Sequence, residues 1–184
     1  MKESMDIKII KNFVDKEDAD RLIKYIETNK LNKDKFIYTE YLKTVESQQA
    51  QSQIPEQFSI NDHPEVKDIY IKYAKRFIEE CKVFFDNTEG IGLYAQWLTM
   101  YGIGNELPRH RDNHFGAEEI NFSAVIYLND DFTGGETEFP HHNKKIVPKM
   151  GSVMVFPPTW QYPHAGLRVH KGVKYIMSTY CHYY

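Results

Sequence analysis

Two cysteines in 184 residues, Cys81 and Cys181, are too few and too far apart for a disulfide framework or a thiolate zinc site. Both are expected as small buried side chains. No window holds the ~18 apolar residues of a membrane-spanning helix. The opening Met1-Lys-Glu-Ser-Met-Asp-Ile-Lys8 lacks the apolar run of ~7 to 15 residues that marks a secretory signal. An excess of one charge is missing too. The 23 Lys and Arg stand against 26 Asp and Glu, and a net charge of -3 gives none of the broad basic field that draws nucleic acid or anionic membrane. Internal repeats and linker-like stretches are also missing. These absences lead us to expect a single soluble domain, 1–184, in a reducing cytoplasm, with neither nucleic acid nor membrane as partner. The 41% of hydrophobic residues suffices for a sizeable core.

The first half reads as helix and loop. Ala19, Leu22, Ile23 and Ile26 follow the i, i+3, i+4, i+7 pattern behind Asp15, with Asp18 placed as a capping-box acid, which predicts a helix over about 16–29. A polar tract, Glu46-Ser-Gln-Gln-Ala-Gln-Ser-Gln53, predicts an exposed loop within 34–58. Pro64 suits the first turn of a second helix, whose stripe runs through Val66, Ile69, Tyr70, Tyr73, Ala74, Phe77, Ile78 and Cys81.

From residue 91 the periodicity changes. Short runs of Tyr, Val, Ile, Phe and Trp are broken by Gly, Pro and Asn-Asp, and predict about seven strands: 93–101, 121–128, 137–139, 144–147, 152–156, 164–169 and 173–182. The fold class is therefore mainly β, a double-sheet jelly roll (91–184) buttressed by N-terminal helices, with 1–90 as mostly helical support and loop.

His110-Arg111-Asp112 is the chemically pointed feature. Alternate residues of an extended chain share a face, so His110 and Asp112 can grip one ion while Arg111 points away. With His164, 52 residues after Asp112, they offer two imidazoles and a carboxylate, a donor set suited to non-haem Fe(II). Lys174 could then meet a bound dicarboxylate. Eight histidines among many acids also make His-x-Asp pairs by chance.

The surrounding segments decide between these readings. Tyr101-Gly-Ile-Gly-Asn-Glu-Leu-Pro-Arg-His110, Asn129-Asp-Asp-Phe-Thr-Gly-Gly-Glu-Thr-Glu-Phe-Pro140, Gly151-Ser-Val-Met-Val-Phe156 and Gly172-Val-Lys-Tyr175 follow in order. From about Tyr94 to Tyr183 this resembles the prolyl 4-hydroxylase-like branch of the Fe(II)/2-oxoglutarate-dependent dioxygenases. The resemblance implies a double-stranded β-helix of cupin-like type and a hydroxylase that uses O2 and releases succinate and CO2. Its cofactors would be Fe(II) and 2-oxoglutarate, with ascorbate as an accessory reductant. It also implies that His110, Asp112 and His164 are the metal ligands and catalytic centre. Lys174 and Tyr101 would hold the distal carboxylate of 2-oxoglutarate. Gly134, Gly135, Thr137 and Phe139 match a structural signature in which the glycines supply positive backbone angles and Phe139 packs.

Substrate identity stays open at this level. Leu107 stands where the family usually has tyrosine, Ile120 where it has arginine and Tyr180 where it has tryptophan. A prolyl residue in a peptide or protein, a free amino acid and a small metabolite all remain candidates, as do a non-catalytic metal- or ligand-binding jelly roll and a metal-free interaction module. The 34–58 loop and segment 102–109 are the expected selectors. Arg168 is a second candidate for an anion, since its guanidinium can fork onto a carboxylate. His63, His114, His141, His142, His170 and His182 are expected to be loop, surface or strand residues. The aromatics Trp97, Trp160, Tyr162, Tyr175 and Tyr180 are expected in core and rim.

Overall fold

Ala19, Leu22 and Ile26 are fully buried on one face of helix α1, Lys16–Asn29, matching the helical period that predicts it. The computed structural model describes residues 7–29, 56–59, 64–85, 90–113 and 119–184. The cap of α1 differs from expectation. The Asp15 backbone N–H donates to the Tyr73 hydroxyl at 3.1 Å, and that hydroxyl donates to Asp18 at 2.7 Å. A tyrosine from the second helix thus bridges the two acids, where a capping box would have joined them directly. That second helix begins as a 3-10 turn at Pro64–Val66 and continues as α2, Lys67–Phe85. None of the described helices is long and apolar enough to cross a membrane.

The strands in chain order are β1 (Lys8–Ile10), β2 (Glu56–Ser59), β3 (Ile91–Tyr101), β4 (Leu107–His110), β5 (Phe122–Tyr127), β6 (Thr133–Gly134), β7 (Thr137–Phe139), β8 (Lys144–Ile146), β9 (Val153–Phe156), β10 (His164–Gly166), β11 (Val169–Lys171) and β12 (Lys174–Tyr183). All pair antiparallel. The larger sheet runs β1-β9-β5-β12-β3-β2, the smaller β4-β10-β7-β8, and β11 pairs with β6. This is a jelly roll of two facing antiparallel sheets.

Several expectations are corrected. The first ninety residues contribute two strands to the larger sheet, so they are more than helices and loop. Glu56–Ser59, which overlaps the end of the expected 34–58 loop, instead edges that sheet against β3. The polar tract 46–53, His63 and His114 lie outside the described residues. The single strand expected over 164–169 is two, β10 and β11, because Leu167 and Arg168 leave the ladder and the pairing passes from the smaller sheet to β6.

Alternation along β9 explains the layering. Val153 and Val155 face α1 and α2 in one cluster with Leu22, Ile26, Ile69 and Phe77, while Met154 and Phe156 face the smaller sheet with Phe139 and Tyr162. The strand is therefore apolar on both sides and reads as a continuous hydrophobic run. Burying each such side chain contributes about 1.5 to 3 kcal/mol. Cys81 and Cys181 are both buried and free in the helix-facing cluster, as expected. The space between the two sheets, lined by β12, β3, β4 and β10, is where the candidate residues lie.

Candidate metal centre and co-substrate pocket

Pro108 sits in β4, the edge strand of the smaller sheet, where its missing N–H costs no ladder bond. β4 pairs with β10 so that His110 stands directly opposite His164. Their rings lie 4.3 Å apart, centroid to centroid, tilted by 54°. Asp112 falls two residues past the strand end, in a bend secured by the Asn113 N–H donating to the Pro158 carbonyl at 3.1 Å. Its Oδ1 lies 3.3 Å from His110 Nε2 and 3.8 Å from His164 Nε2. One donor atom from each of the three lies within 4.8 Å of the others, close enough to share one ion.

The surroundings orient these groups. His110 Nδ1 lies 2.8 Å from the Pro108 carbonyl and His164 Nδ1 lies 3.3 Å from the Tyr162 carbonyl. A carbonyl can only accept, so each ring donates through Nδ1 and turns its Nε2 toward Asp112. Phe139 stacks on the His164 ring at 5.4 Å, and Phe156 meets it edge-on at 4.7 Å. Burial favours neutral His164 and pushes its pKa down to about 4, against the opposing pull of Asp112. Burial would raise Asp112, but the facing imidazoles outweigh it and hold its carboxyl well below the usual range. His110 is desolvated too, yet its bond to Asp112 raises it overall. A neutral imidazole beside an ionised carboxylate, with no thiolate, is a donor set that fits Fe(II).

Lys174, 1% exposed, opens β12 opposite Tyr101. Its Nζ donates to the Gly135 carbonyl at 2.7 Å and lies 4.7 Å from the Tyr101 ring centre. Among the described residues no carboxylate lies within ion-pairing distance of it. Burial depresses its pKa from 10.5 to about 7. The Glu136 carboxylate opposes that fall from beyond ion-pairing distance, and an ammonium so placed at the bottom of a pocket fits an incoming carboxylate. Gly135 makes the arrangement possible. Its φ is +69°, and a Cβ there would come within 3.1 Å of Lys174 Cδ. At Gly134, φ +77°, a Cβ would meet the Arg168 carbonyl at 2.2 Å.

His110, Asp112, His164, Tyr101 and Lys174 thus line one open pocket. Thr137, whose hydroxyl bonds that of Tyr127 at 2.9 Å, also lines it, as do Val125 and Ser178. Sequence reasoning gave Thr137 only a structural role and passed over Val125 and Ser178, since these residue types carry no ligand signal. Leu107 and Tyr180 are in the lining, whereas Ile120 is buried elsewhere. Arg168 is not brought in: it is exposed, and its Nε and Nη2 reach Glu106 at 3.1 and 3.2 Å. His141 and His142 belong to a 3-10 turn, Pro140–His142, directly after β7 ends at Phe139. His142 stacks on Tyr162 at 4.3 Å. His182 packs edge-on to Tyr94 and Tyr184, and His170 is exposed. Of the aromatics, Tyr162 is buried, Trp160 is 68% exposed and the Tyr175 hydroxyl bonds Glu27.

An antiparallel jelly roll that encloses two imidazoles, a carboxylate and a buried lysine is an arrangement that fits Fe(II) and a dicarboxylate such as 2-oxoglutarate. Comparison with known proteins agrees. Residues 96–182 match the model of the 2OG-Fe(II) oxygenase superfamily. A prolyl 4-hydroxylase-type protein of Acanthamoeba polyphaga mimivirus is 30% identical over 137 residues, 64% of this chain and 52% of the relative. The chain therefore spans about half that relative's length. Viral collagen prolyl hydroxylase from Paramecium Bursaria Chlorella virus-1, solved as a 2OG complex, superposes with a TM-score of 0.70 at 21% identity, over 97% of this chain and 96% of that one. A prolyl hydroxylase from Trichoplax adhaerens, in complex with a hypoxia inducible factor oxygen degradation domain peptide fragment, gives 0.75 at 18% identity, over 97% and 84%. Residues 96–182 thus resemble the 2OG-Fe(II) oxygenase superfamily, and the chain shares the fold of these prolyl hydroxylases. Fe(II) and 2-oxoglutarate are that family's metal and co-substrate, and the donor set and the buried lysine fit both.

Proposed function

We propose that this oxygenase hydroxylates a C–H bond of a prolyl residue in a peptide or protein, releasing succinate and CO2. The observation that carries the reading is the convergence of His110, Asp112 and His164 within 4.8 Å, in the same pocket as a buried, unpaired Lys174. His110, Asp112 and His164 are the proposed metal ligands. Lys174 and Tyr101 are proposed to take the distal carboxylate of 2-oxoglutarate. Bound metal and co-substrate supply oxidative decarboxylation by dioxygen and transfer of one oxygen atom to carbon, chemistry that belongs to the cofactor.

The protein's part is position, charge and dryness. Phe139 and Phe156 fix the His164 ring plane and keep water from that side. The two Nδ1–H donors hold both imidazoles in the tautomer a metal needs. Lys174 regains full charge when a carboxylate arrives, so the pocket floor selects a dicarboxylate over a monoacid.

The charge inventory favours a peptidyl substrate over a free amino acid. Among the described lining residues Lys174 is the one lysine or arginine, and it is committed to the co-substrate. A free amino acid would bring a second carboxylate with nothing to meet it. The Trichoplax relative's peptide complex supports the same direction. The test is incubation with Fe(II), ascorbate, 2-oxoglutarate and a panel of prolyl peptides and free amino acids, with succinate measured and product mass determined. A gain of one oxygen on peptidyl proline is expected. Hydroxylation of free amino acids alone, or metal binding without succinate, would replace this reading with a metabolite oxygenase or a non-catalytic binding module.

A further inference from the structure

The pocket's described lining divides by chemistry. Lys174, Tyr101 and Thr137 form the floor, and His110, Asp112 and His164 the metal group. Tyr180, Ser178, Ile176, Gly166, Leu107 and Val125 remain, a wall with two hydroxyls and three branched apolar side chains. Tyr180 shares one face of β12 with Lys174, six residues away, and stands opposite Ser123 on β5 and Ala95 on β3. At this point β3 carries an extra residue. Tyr180 pairs with Ala95 but Cys181 pairs with Leu93, leaving Tyr94 unpaired as a bulge. Bulges bend and twist a strand pair and so re-aim the side chain at the kink. The Tyr180 phenol turns into the pocket, where its polar neighbours are the Asp112 carboxylate and the Ser178 and Tyr101 hydroxyls.

A prolyl residue presents an apolar ring and a carbonyl acceptor, and no backbone N–H. The wall offers the complement, apolar Leu107 and Val125 with one phenolic donor. We propose that the Tyr180 hydroxyl is the specificity-determining group that donates to the carbonyl oxygen of the prolyl unit being oxidised, while Leu107 and Val125 hold its ring. This rests on the prolyl-hydroxylase reading given above.

The experiment compares wild type with Tyr180→Phe on the best prolyl peptide of the panel and on its thioamide analogue, in which sulfur replaces the prolyl carbonyl oxygen and accepts a hydrogen bond more weakly. Loss of one such bond is expected to lower kcat/KM about tenfold, mostly through KM. The thioamide is expected to cost the wild type several-fold and the Phe variant nothing further. A Mn(II) plus 2-oxoglutarate thermal shift equal to that of wild type would show that the Tyr180→Phe site is intact. Equal kcat/KM for the two proteins, or an equal thioamide penalty in both, overturns the proposal. Loss of the thermal shift also overturns it, since Tyr180 would then be structural. A wild type that makes no succinate with any peptide overturns the parent reading itself, a result distinct from the other three.

Discussion

The Lys174 ammonium donates to the Gly135 carbonyl at 2.7 Å, deep between the sheets, with no carboxylate from the described residues to neutralise it. The carbonyl dipole holds the side chain in place without neutralising it, and burial, opposed by the Glu136 carboxylate, depresses its pKa to about 7.

That depression has a signed consequence. Between pH 7 and 10.5 the unfolded chain carries a proton on Lys174 that the folded, ligand-free protein has lost, so this residue's contribution to stability rises with pH over that range. Below pH 7 both states carry the proton and the folded state bears the full cost of a buried charge. A dicarboxylate reverses the shift by favouring the ammonium. Calorimetry of 2-oxoglutarate binding to the Mn(II)-loaded protein, in buffers of different ionisation enthalpy, should show uptake approaching one proton at pH 8.5 and little at pH 6. Uptake independent of pH would exclude Lys174 as the carboxylate partner.

Gly135→Ala should disturb both the backbone and the lysine. A positive φ costs a non-glycine residue about 1 to 2 kcal/mol, and the new Cβ would press on Lys174 Cδ. We expect a lower urea midpoint together with a higher KM for 2-oxoglutarate. A stability loss with unchanged KM would separate the glycine from the pocket.

Phe139 is fully buried and packs on His164 and Phe156. Phe139→Ala should destabilise the fold by about 3 to 5 kcal/mol, measured by denaturant unfolding. Phe139→Leu should cost less stability yet weaken Mn(II) binding, because a branched aliphatic side chain does not hold the imidazole plane. Unchanged Mn(II) affinity in the Leu variant would confine Phe139 to packing.

The sequence announced those elements whose own residues repeat at a structural period. α1 is bounded as its stripe predicts, and β3, β5, β7, β8, β9 and β12 fall within two residues of expectation. What stayed hidden depends on partners elsewhere in the chain. β1 is three residues long, too short to show alternation, and is a strand because Ile9 pairs with Met154. β4 reads Leu-Pro-Arg-His, and a proline there argues against a strand unless the strand is known to lie at an edge. The same division holds in the pocket. Histidines and an acid are chemically conspicuous, so the cluster could be named from spacing and resemblance. Thr137, Val125 and Ser178 enter the lining through cross-strand register alone. Arg168 looked suitable by type, but Glu106 occupies its guanidinium.

The most direct test of the account is succinate formation with Fe(II), ascorbate and 2-oxoglutarate, measured for wild type and Asp112→Ala alongside their thermal shift with Mn(II) plus 2-oxoglutarate. Wild type should turn over and gain melting temperature on loading, whereas the variant should do neither while remaining folded. Turnover and stabilisation by Asp112→Ala equal to those of wild type would contradict the assignment of His110, Asp112 and His164 as the metal centre.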